Sequence, residues 1–369
     1  MTELYSKEPV LNSIVLKVTN YCNLCCDYCY RDSDKVSKPE VMALEIVDRI
    51  ISSYAKLIDN RKIGPKSMYL IWHGGEPLLA GINYFHKIIE IEKKYTDEGY
   101  KIFNAVQTNG TLISEEWASF FKENNFSVGI SMDGPEEIHD IHRQSKKNKS
   151  SFEIIYPNLL LLKEKKNSVS IISVINKESV EHCQEVFKFF NELQINSVDF
   201  IPCFLNKNEM TLSVESYSKF MIELFDLWTA SSNKDLNIRF LNDIQKKNKV
   251  LKTGKGTICV GCELIGRCGE NFSIQTNGDI YLCECLSSID RFKIGNIKEI
   301  GLSEIHKTEK FNEFKKSCNE INQECFACEV FKICKGGCLN RRLPESTDDN
   351  KDFYCDARKK IIRHVLKNE

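Results

Sequence analysis

The chain has 369 residues, a formal net charge of −1, 42% hydrophobic residues and 28% charged residues. This composition is ordinary for a soluble globular protein, and the near-zero charge argues against bulk electrostatic binding to nucleic acid or to an acidic membrane. The sequence has no run of 18 or more apolar residues, and Met1–Pro9 lacks the apolar core of a signal peptide, so we expect a cytoplasmic protein of one or two domains.

Between residue 14 and about residue 231, short β-branched runs alternate with amphipathic segments of helical period. The predicted strands are Ile14–Val18, Met68–Trp72, Ile102–Gln107, Ser127–Ser131, Val169–Val174 and Ser197–Ile201. The predicted helices are roughly 39–57, 82–96, 113–124, 152–165, 178–193 and 213–231. Six β/α units in this order predict a parallel sheet with right-handed crossovers. Since six units are too few for a closed eight-stranded barrel, the predicted fold class is α/β with a partial, open (β/α)6 TIM barrel.

Polar motifs directly follow five of the predicted strands. A group of cysteines follows the first strand, and Gly74-Gly75-Glu76-Pro77 follows the second. The motifs that end the third, fourth and sixth strands are Thr108-Asn109-Gly110, Ser131-Met132-Asp133-Gly134 and Pro202-Cys203. Because the carboxyl-terminal ends of barrel strands carry the active site, we expect these motifs to share one site.

A polar, lysine-rich stretch from about 232 to 256 is interpreted as a junction, so the predicted domains are 1–240 and 241–369. Beyond it, Phe272–Tyr281 alternates apolar and polar residues around Asn277-Gly278, which predicts a β-hairpin with a tight primed turn.

The 17 cysteines are unusual for a cytoplasmic protein, where such residues more often ligate metal or do redox chemistry than form disulfides. Four lie between Cys22 and Cys29, eleven lie from Cys259 onward, and Cys183 and Cys203 are isolated. The isolated pair is interpreted as buried thiols, since cysteine is commonly buried.

The first group contains Cys22, Cys26 and Cys29 in the spacing C-x3-C-x2-C. Three thiolates on a tight loop can hold three irons of a [4Fe–4S] cube, which leaves the fourth iron without a protein ligand. Cys25 also permits the reversed spacing, and as a fourth thiolate it permits a zinc site. We prefer Cys26 as the ligand.

With Tyr28 immediately before the third cysteine, this loop resembles the signature of the radical S-adenosylmethionine (SAM) superfamily. The resemblance implies that SAM chelates the open iron, and that its one-electron cleavage yields a 5′-deoxyadenosyl radical that abstracts hydrogen. By the same resemblance, the residues around SAM are Tyr28, Gly74, Gly75, Glu76, Asn109, Ser131, Asp133 and Arg143.

The C-terminal cysteines resemble the SPASM domain, an extension of radical SAM enzymes that modify peptides or proteins. The resemblance implies two fully ligated auxiliary [4Fe–4S] clusters, so three clusters in all. The implied ligands of auxiliary cluster I are Cys262, Cys268, Cys283 and Cys338, and those of auxiliary cluster II are Cys325, Cys328, Cys334 and Cys355. Cys259 and Cys285 lie close enough in sequence to replace a ligand, and zinc is an alternative for the C-x2-C pair.

Over nearly its whole length the sequence resembles anaerobic sulfatase-maturating enzymes, for example in Gln107–Ile113 and Ser131–Pro135. Those enzymes carry an Asp, the candidate base, after the ligand aligned with Cys283, whereas this chain has Glu284. The stretch Trp72–Gly81 is more similar to maturases of ribosomally made peptides.

Our first hypothesis is therefore a maturase that forms thioether or carbon–carbon crosslinks in a precursor peptide. The second is oxidation of a sulfatase Cys or Ser to formylglycine, and the third, of another class, is an iron–sulfur electron carrier without catalysis. For either enzyme, the resemblance implies a peptide or protein substrate and an electron donor of the flavodoxin or ferredoxin type.

Overall fold

The computed structural model of the chain describes residues 11–30, 38–61, 64–147, 149–205, 209–343 and 349–369. The strands are β1 (Ser13–Thr19), β2 (Ser67–Gly74), β3 (Lys101–Thr108), β4 (Ser127–Ser131), β5 (Ser168–Ile175), β6 (Ser197–Pro202), β7 (Asn237–Ile238), β8 (Asn271–Ile274), β9 (Asp279–Tyr281) and β10 (Lys293–Asn296). The helices are α1 (Leu44–Asp59), α2 (Ile82–Thr96), α3 (Glu115–Glu123), α4 (Glu136–His142), α5 (Phe152–Glu164), α6 (Cys183–Glu192), α7 (Val214–Ala230), α8 (Arg239–Thr253), α9 (Cys262–Ile265), α10 (Glu309–Asn319), α11 (Phe331–Cys334) and α12 (Cys355–Lys367).

All six predicted strands and all six predicted helices are present, with small shifts at their ends. The largest shifts are at the starts of α1 and α6, which begin at Leu44 and Cys183. Before α1, Val41 instead forms an antiparallel bridge with Thr19. The segment Met1–Pro9, expected not to be a signal peptide, lies outside the described residues. Within the described part of the chain, no helix has the length and apolarity needed to cross a membrane.

The described residues form two compact units. The first unit lies within Met1–Ile130, Arg143–Val169 and Gly269–Lys316, and the second within Ser131–His142, Ser170–Cys268 and Ser317–Glu369. The domain boundary near residue 240 was placed from the sequence pattern alone, and it stays a prediction.

In the first unit, β1 is flanked on both sides by parallel neighbours. Strand β2 pairs with β1, β3 with β2, and β4 with β3, all in parallel. On the other side of β1 lies β8, in the register Ser13 to Asn271 and Leu16 to Ile274. Because parallel strands end at one edge, the motifs that follow β1, β2 and β3 meet at the same rim.

The C-terminal hairpin is confirmed, since β8 and β9 pair antiparallel and β9 pairs antiparallel with β10. The expectation of a primed turn was wrong. Gly278 has a φ of +96°, but Asn277 keeps a negative φ. The amide of Gly278 donates to the carbonyl of Gln275 at 2.9 Å, so Gly278 takes the left-handed position that closes a longer hairpin loop.

The core of the first unit is built from apolar helix faces on the sheet. In α1 the buried residues Ile46, Val47, Ile50, Tyr54 and Leu57 recur at helical spacing, and the opposite face is solvated. In α3 the hydroxyl of Ser114 accepts a hydrogen bond from the Trp117 amide and caps the helix. An aromatic cluster contributes to the same core, with Phe85 edge-to-face against three rings and Trp117 stacked on Phe121; its members are Phe85, Trp117, Phe120, Phe121 and Phe126.

In the second unit, β6 pairs in parallel with both β5 and the short strand β7, which the sequence did not predict. Helix α8 lies within the lysine-rich stretch, and three of its polar residues, Asp243, Lys247 and Asn248, are buried. Helix α12 packs on α7 and α8, and the hydroxyl of Tyr354 donates toward the carbonyls of Leu212 and Cys203, at 2.9 and 3.1 Å.

Candidate active site

The first cysteine loop, Cys22–Cys29, is held by backbone hydrogen bonds from the end of β2. The amide of Gly75 donates to the carbonyl of Thr19, and the amide of Glu76 donates to the carbonyl of Tyr21, both at 2.8 Å. A Cβ atom on Gly75 would overlap the carbonyl of Tyr21. Glycine is therefore required here so that the backbone can approach the cysteine loop closely.

Glu76 is fully buried and accepts hydrogen bonds from three groups of the chain. Its carboxylate accepts from the Leu78 amide at 3.0 Å, the Thr108 hydroxyl at 2.7 Å and the Asn109 amide at 2.7 Å. Burial raises the pKa of Glu76 to about 7, although these hydrogen bonds oppose the rise. In this structure Glu76 ties the ends of β2 and β3 together; its predicted contact with SAM stays a prediction.

Asn109 connects that rim to the cysteine loop. Its Nδ2 lies 3.7 Å from the Sγ of Cys22 and donates to the Oδ1 of Asn23 at 2.9 Å. The amide of Cys29 donates to the carbonyl of Cys26 at 3.0 Å, so the last two predicted ligands share a tight turn. Burial raises the pKa of the Cys22 thiol, and the nearby Glu76 and Cys29 add to the rise.

Cys25 contacts the backbone of the segment Gln144–Ser145. Its amide donates to the carbonyl of Gln144 at 3.0 Å, and its Sγ lies 3.5 Å from the carbonyl of Ser145. The three predicted cluster ligands on the loop are Cys22, Cys26 and Cys29. Cys22 and Cys26 are half-buried and Cys29 is exposed. Three thiols on one short loop fit a [4Fe–4S] cube with one open iron.

The remaining residues predicted near SAM fall into two groups. In the first unit, Tyr28 and Arg143 are both buried, and the guanidinium lies 5.3 Å from the centre of the Tyr28 ring. In the second unit, Ser131 ends β4, and Asp133 is fully buried with its Oδ1 accepting from the Val174 amide at 2.8 Å.

Glu284 lies in a cluster of polar side chains of the first unit, built by three neighbouring strands. The register of β1 with β2 places Lys17 beside His73, and β8, on the other side of β1, supplies Ser273. The Nζ of Lys17 forms an ion pair with the Oε1 of Glu284 and lies 3.2 Å from the Nδ1 of His73. Tyr30 donates to the same carboxylate oxygen, and Ser273 donates to the other, both at 2.6 Å.

The electrostatics of this cluster keep Glu284 ionised. Burial alone would raise the pKa of Glu284, but the positive charge of Lys17 and hydrogen bonds from Lys17 and Ser273 lower it to about 2. The side chain of Lys17 is 1% exposed, whereas that of Glu284 is 24% exposed. The cluster therefore offers an accessible carboxylate whose orientation is fixed from both oxygens.

Sequence reasoning found Glu284 but missed Lys17, Tyr30, His73 and Ser273. One signal was available, because Lys17 interrupts the otherwise apolar run of the first predicted strand. A charged residue in a buried strand requires a partner. No pattern in the sequence indicated that this partner would be 267 residues away.

The four cysteines predicted to hold auxiliary cluster II line one cavity in the second unit. The cavity has a volume of about 410 Å³, and Cys325, Cys328, Cys334 and Cys355 all contribute to its wall. They come from a 3-10 turn, from α11 and from the start of α12. Thiols from separate segments around one cavity fit a multinuclear cluster.

A buried ion-pair network lies beside this cavity. Arg341 and Arg358 both donate to the Oε2 of Glu263, at 2.7 and 2.9 Å. Asp352 accepts from the Nε of Arg341 at 3.0 Å and from the Cys338 amide at 2.8 Å. The pKa values of the half-buried Glu263 and the buried Asp352 fall although desolvation opposes the change, because the arginines favour the ionised carboxylates.

The predicted ligands of auxiliary cluster I are divided between the units. Cys262, Cys268 and Cys338 belong to the second unit and Cys283 to the first, so their assignment as one ligand set stays a prediction. None of the 17 cysteines, all of which lie in the described ranges, forms a disulfide. Cys183 and Cys203 are buried, as expected.

Two family models match the chain. The model of the radical SAM superfamily matches residues 16–190, and that of the SPASM iron–sulfur cluster-binding domain matches residues 256–329. The cysteine-type anaerobic sulfatase-maturating enzyme of Clostridium perfringens is 31% identical over 97% of each chain. The chain belongs to the radical SAM/SPASM family. Membership makes it an enzyme that acts on peptide or protein side chains, so the hypothesis of a non-catalytic electron carrier is wrong.

Other radical SAM/SPASM proteins are similar to nearly the same extent. The serine-type anaerobic sulfatase-maturating enzyme of Bacteroides thetaiotaomicron is 28% identical over 95% of this chain and 88% of its own. The solved structure of native anSMEcpe with bound AdoMet and Cp18Cys peptide has a TM-score of 0.84 at 29% identity, and each chain is covered to 98%. The predicted partial barrel with a C-terminal SPASM domain is confirmed, as are [4Fe–4S] clusters and SAM as cofactors.

Proposed function

We propose that this radical SAM/SPASM enzyme oxidises a cysteine or serine side chain of a sulfatase to formylglycine. The observation that carries the proposal is the carboxylate of Glu284, which directly follows a predicted cluster ligand and is held ionised by Lys17. The full-length similarity to sulfatase-maturating enzymes of both types supports this second sequence hypothesis over the first, peptide crosslinking.

The proposed reaction removes two electrons and two protons from the side chain; a cysteine substrate also takes up one water, and a serine substrate takes up none. For a cysteine, the side-chain thiol with its methylene carbon and one water become an aldehyde and hydrogen sulfide, with release of two protons and two electrons. When bound, SAM and its cluster would supply the radical chemistry that removes the Cβ hydrogen, and an auxiliary cluster would accept the second electron. The second proton would pass to a base of this chain. An external donor of the flavodoxin or ferredoxin type supplies the electron that cleaves SAM.

In this proposal Glu284 accepts the proton of the substrate thiol or hydroxyl. A carboxylate with a pKa of about 2 is ionised at neutral pH but is a weak base. Loss of the Cβ hydrogen makes the neighbouring proton more acidic, because the unpaired electron is shared with the heteroatom. Lys17, Tyr30 and Ser273 orient the carboxylate, so that its partly exposed side faces the substrate.

The first cysteine loop would hold the cluster that binds SAM. Cys22, Cys26 and Cys29 are the proposed ligands, and the close approach of Gly75 fixes the loop against β2. The four-cysteine cavity would hold auxiliary cluster II. Cys25 takes no part, because its thiol is bonded to the backbone at Gln144 and Ser145.

The test is mass spectrometry of the Cp18Cys peptide after anaerobic incubation with the reconstituted enzyme, SAM and a reductant. We expect an aldehyde product in which oxygen replaces sulfur. The matched control is the same peptide with serine at the modified position, and comparison of the two rates assigns the cysteine or serine type. A product that has lost two hydrogens and retains its sulfur would overturn the proposal in favour of crosslinking.

Two cysteine variants separate the proposed cluster roles. Cys26→Ala should abolish formation of 5′-deoxyadenosine, because the open iron would be lost. Cys334→Ala should retain part of that cleavage but form no aldehyde, because the second electron has no acceptor. If the Cys26→Ala enzyme still forms 5′-deoxyadenosine, the assignment of the first cluster is wrong.

A further inference from the structure

The side chain of Arg358 lies against a thiol of the four-cysteine cavity. Arg358 is on α12, one turn after Cys355, and is fully buried. Its Nε lies 3.4 Å from the Sγ of Cys334. We propose that Arg358 raises the reduction potential of auxiliary cluster II by donating a hydrogen bond to the Cys334 sulfur and by placing a buried positive charge beside it. This inference rests on the proposed cluster ligands, but not on which substrate residue is oxidised.

The guanidinium of Arg358 is fixed in the orientation that the proposal needs. Its Nη1 donates to the Oε2 of Glu263 and its Nη2 to the carbonyl of Glu263, both at 2.9 Å. The guanidinium is planar, so bonds on these two nitrogens direct the Nε–H toward Cys334. Arginine also stays protonated in proteins, so the donor and its charge persist at every accessible pH.

A second buried cation lies near the same cysteine. The ammonium of Lys247 donates to the carbonyl of Ile333, the residue before Cys334, at 2.9 Å, and also to the carbonyl of Leu264. These partners are neutral and do not cancel its charge. Arg341 and Arg358, in contrast, are balanced by two carboxylates, those of Glu263 and Asp352. Lys247 therefore adds a positive charge near Cys334 that these ion pairs do not balance.

Positive charge and hydrogen bonds at a ligand sulfur favour the reduced form of a cluster. Reduction adds one electron to the cluster and its thiolates, so a nearby cation stabilises the reduced state more than the oxidised state. In the proposed reaction the electron comes from the substrate after the Cβ hydrogen has left. A raised potential would make auxiliary cluster II the favoured site for that electron.

The test is a redox titration, followed by electron paramagnetic resonance, of the reconstituted full chain. Replacing Cys22, Cys26 and Cys29 by Ala removes the signal of the first cluster, so only the auxiliary clusters titrate. In Arg358→Gln we expect one midpoint potential to fall by at least about 59 mV, which corresponds to a tenfold change in the equilibrium constant for one-electron reduction. The other midpoint should stay in place.

Arg363→Gln is the matched control. Arg363 lines the same cavity from the same helix, but its side chain is 58% exposed and pairs with Glu329 at the surface. Solvent screens such a charge, so the midpoints should move much less than in Arg358→Gln. If the two variants give the same midpoints, the inference is overturned.

Arg358→Lys covers the case in which Arg358→Gln loses its iron. Lysine keeps the charge but lacks the planar fork, so we expect a smaller fall of the same midpoint. An unchanged midpoint in this variant would support the role of the charge and overturn that of the hydrogen bond from Nε. Loss of iron in both variants would make Arg358 a structural residue and overturn the inference.

The outcome can be separated from that of the proposed function. A lowered midpoint together with no aldehyde product from the wild-type enzyme would reject formylglycine formation alone. Aldehyde formation together with an unchanged midpoint would reject the role of Arg358 alone.

Discussion

The two compact units stabilise carboxylates that are buried or half-buried in different ways. In the first unit, Glu76 and Glu92 accept hydrogen bonds from neutral donors, and burial raises the pKa of each to about 7. In the second unit, Glu263 and Asp352 pair with arginines, and their pKa values are lowered although desolvation opposes the change. Negative charge is disfavoured in the first environment and compensated in the second.

Glu284 departs from the pattern of its own unit. It lies in the first unit but is paired with a buried lysine, and its pKa falls to about 2. Desolvating Lys17 for this purpose costs free energy that a neutral arrangement would avoid. A charge maintained at such a cost, beside a predicted cluster ligand, is typical of a functional site.

The largest expected effect concerns this exception. Glu284→Gln removes the charge and the basic site, so formation of the aldehyde should fall by about 100-fold to 10,000-fold. Cleavage of SAM to 5′-deoxyadenosine should persist, because the first cysteine loop is unchanged. The two products, measured by mass spectrometry and chromatography in the same reaction, report on the two steps separately.

Two further variants sharpen that result. Glu284→Asp installs the residue that sulfatase-maturating enzymes carry, and it should retain measurable aldehyde formation. Lys17→Met should lower aldehyde formation without abolishing SAM cleavage, because the carboxylate loses its ion-pair partner. Equal activity of Glu284→Gln and the wild type would show that the proton acceptor is another group.

A smaller effect is expected at the compensated carboxylates of the second unit. Asp352→Asn would leave Arg341 with one of its two carboxylate partners, so the free energy of unfolding should fall by about 3–5 kcal/mol. Urea denaturation under anaerobic conditions measures this change. The control is Asp349→Asn, which removes a half-exposed carboxylate paired with Lys351 and should cost less than about 1 kcal/mol. A similar fall in the free energy of unfolding in the two variants would show that the ion pair of Asp352 contributes no more to stability than a surface pair.

The smallest effect is a pH dependence in the first unit. Glu92 is buried, and its Oε1 has no hydrogen-bond partner among the described residues. Its pKa is raised from 4.5 to about 7, so the folded state binds the proton more tightly and stability falls as pH rises across that window. The loss is at most about 3 kcal/mol, since each pKa unit is worth about 1.4 kcal/mol.

Glu92→Gln should remove the part of this dependence that comes from Glu92 and leave the part that comes from Glu76, so the variant should lose less stability than the wild type between pH 5 and pH 8. Urea midpoints at the two pH values measure it. Glu90→Gln, at an exposed position of the same helix, is the control and should follow the wild type. An equal slope in all three proteins would mean that Glu92 does not titrate in this range.

The alternation of strands and helices could be predicted from the sequence because each element has its own periodicity. The six strands appear where β-branched runs were found, five of them followed by polar motifs, and helix α2 spans the predicted residues, 82–96. Strand β7 was not predicted, because two residues are too few to show the alternation of a strand. The hairpin turn at Asn277-Gly278 was assigned the wrong type, since a dipeptide does not fix the φ of both its residues.

The candidate site was predictable only in part. The sequence by itself determined the thiol spacing from Cys22 to Cys29 and the carboxylate of Glu284 after Cys283, because these groups are neighbours along the chain. The tertiary structure decided that Lys17 meets Glu284 and that Arg358 meets Cys334. Such pairs depend on strand register and helix packing, which set the contacts of side chains that are distant in sequence.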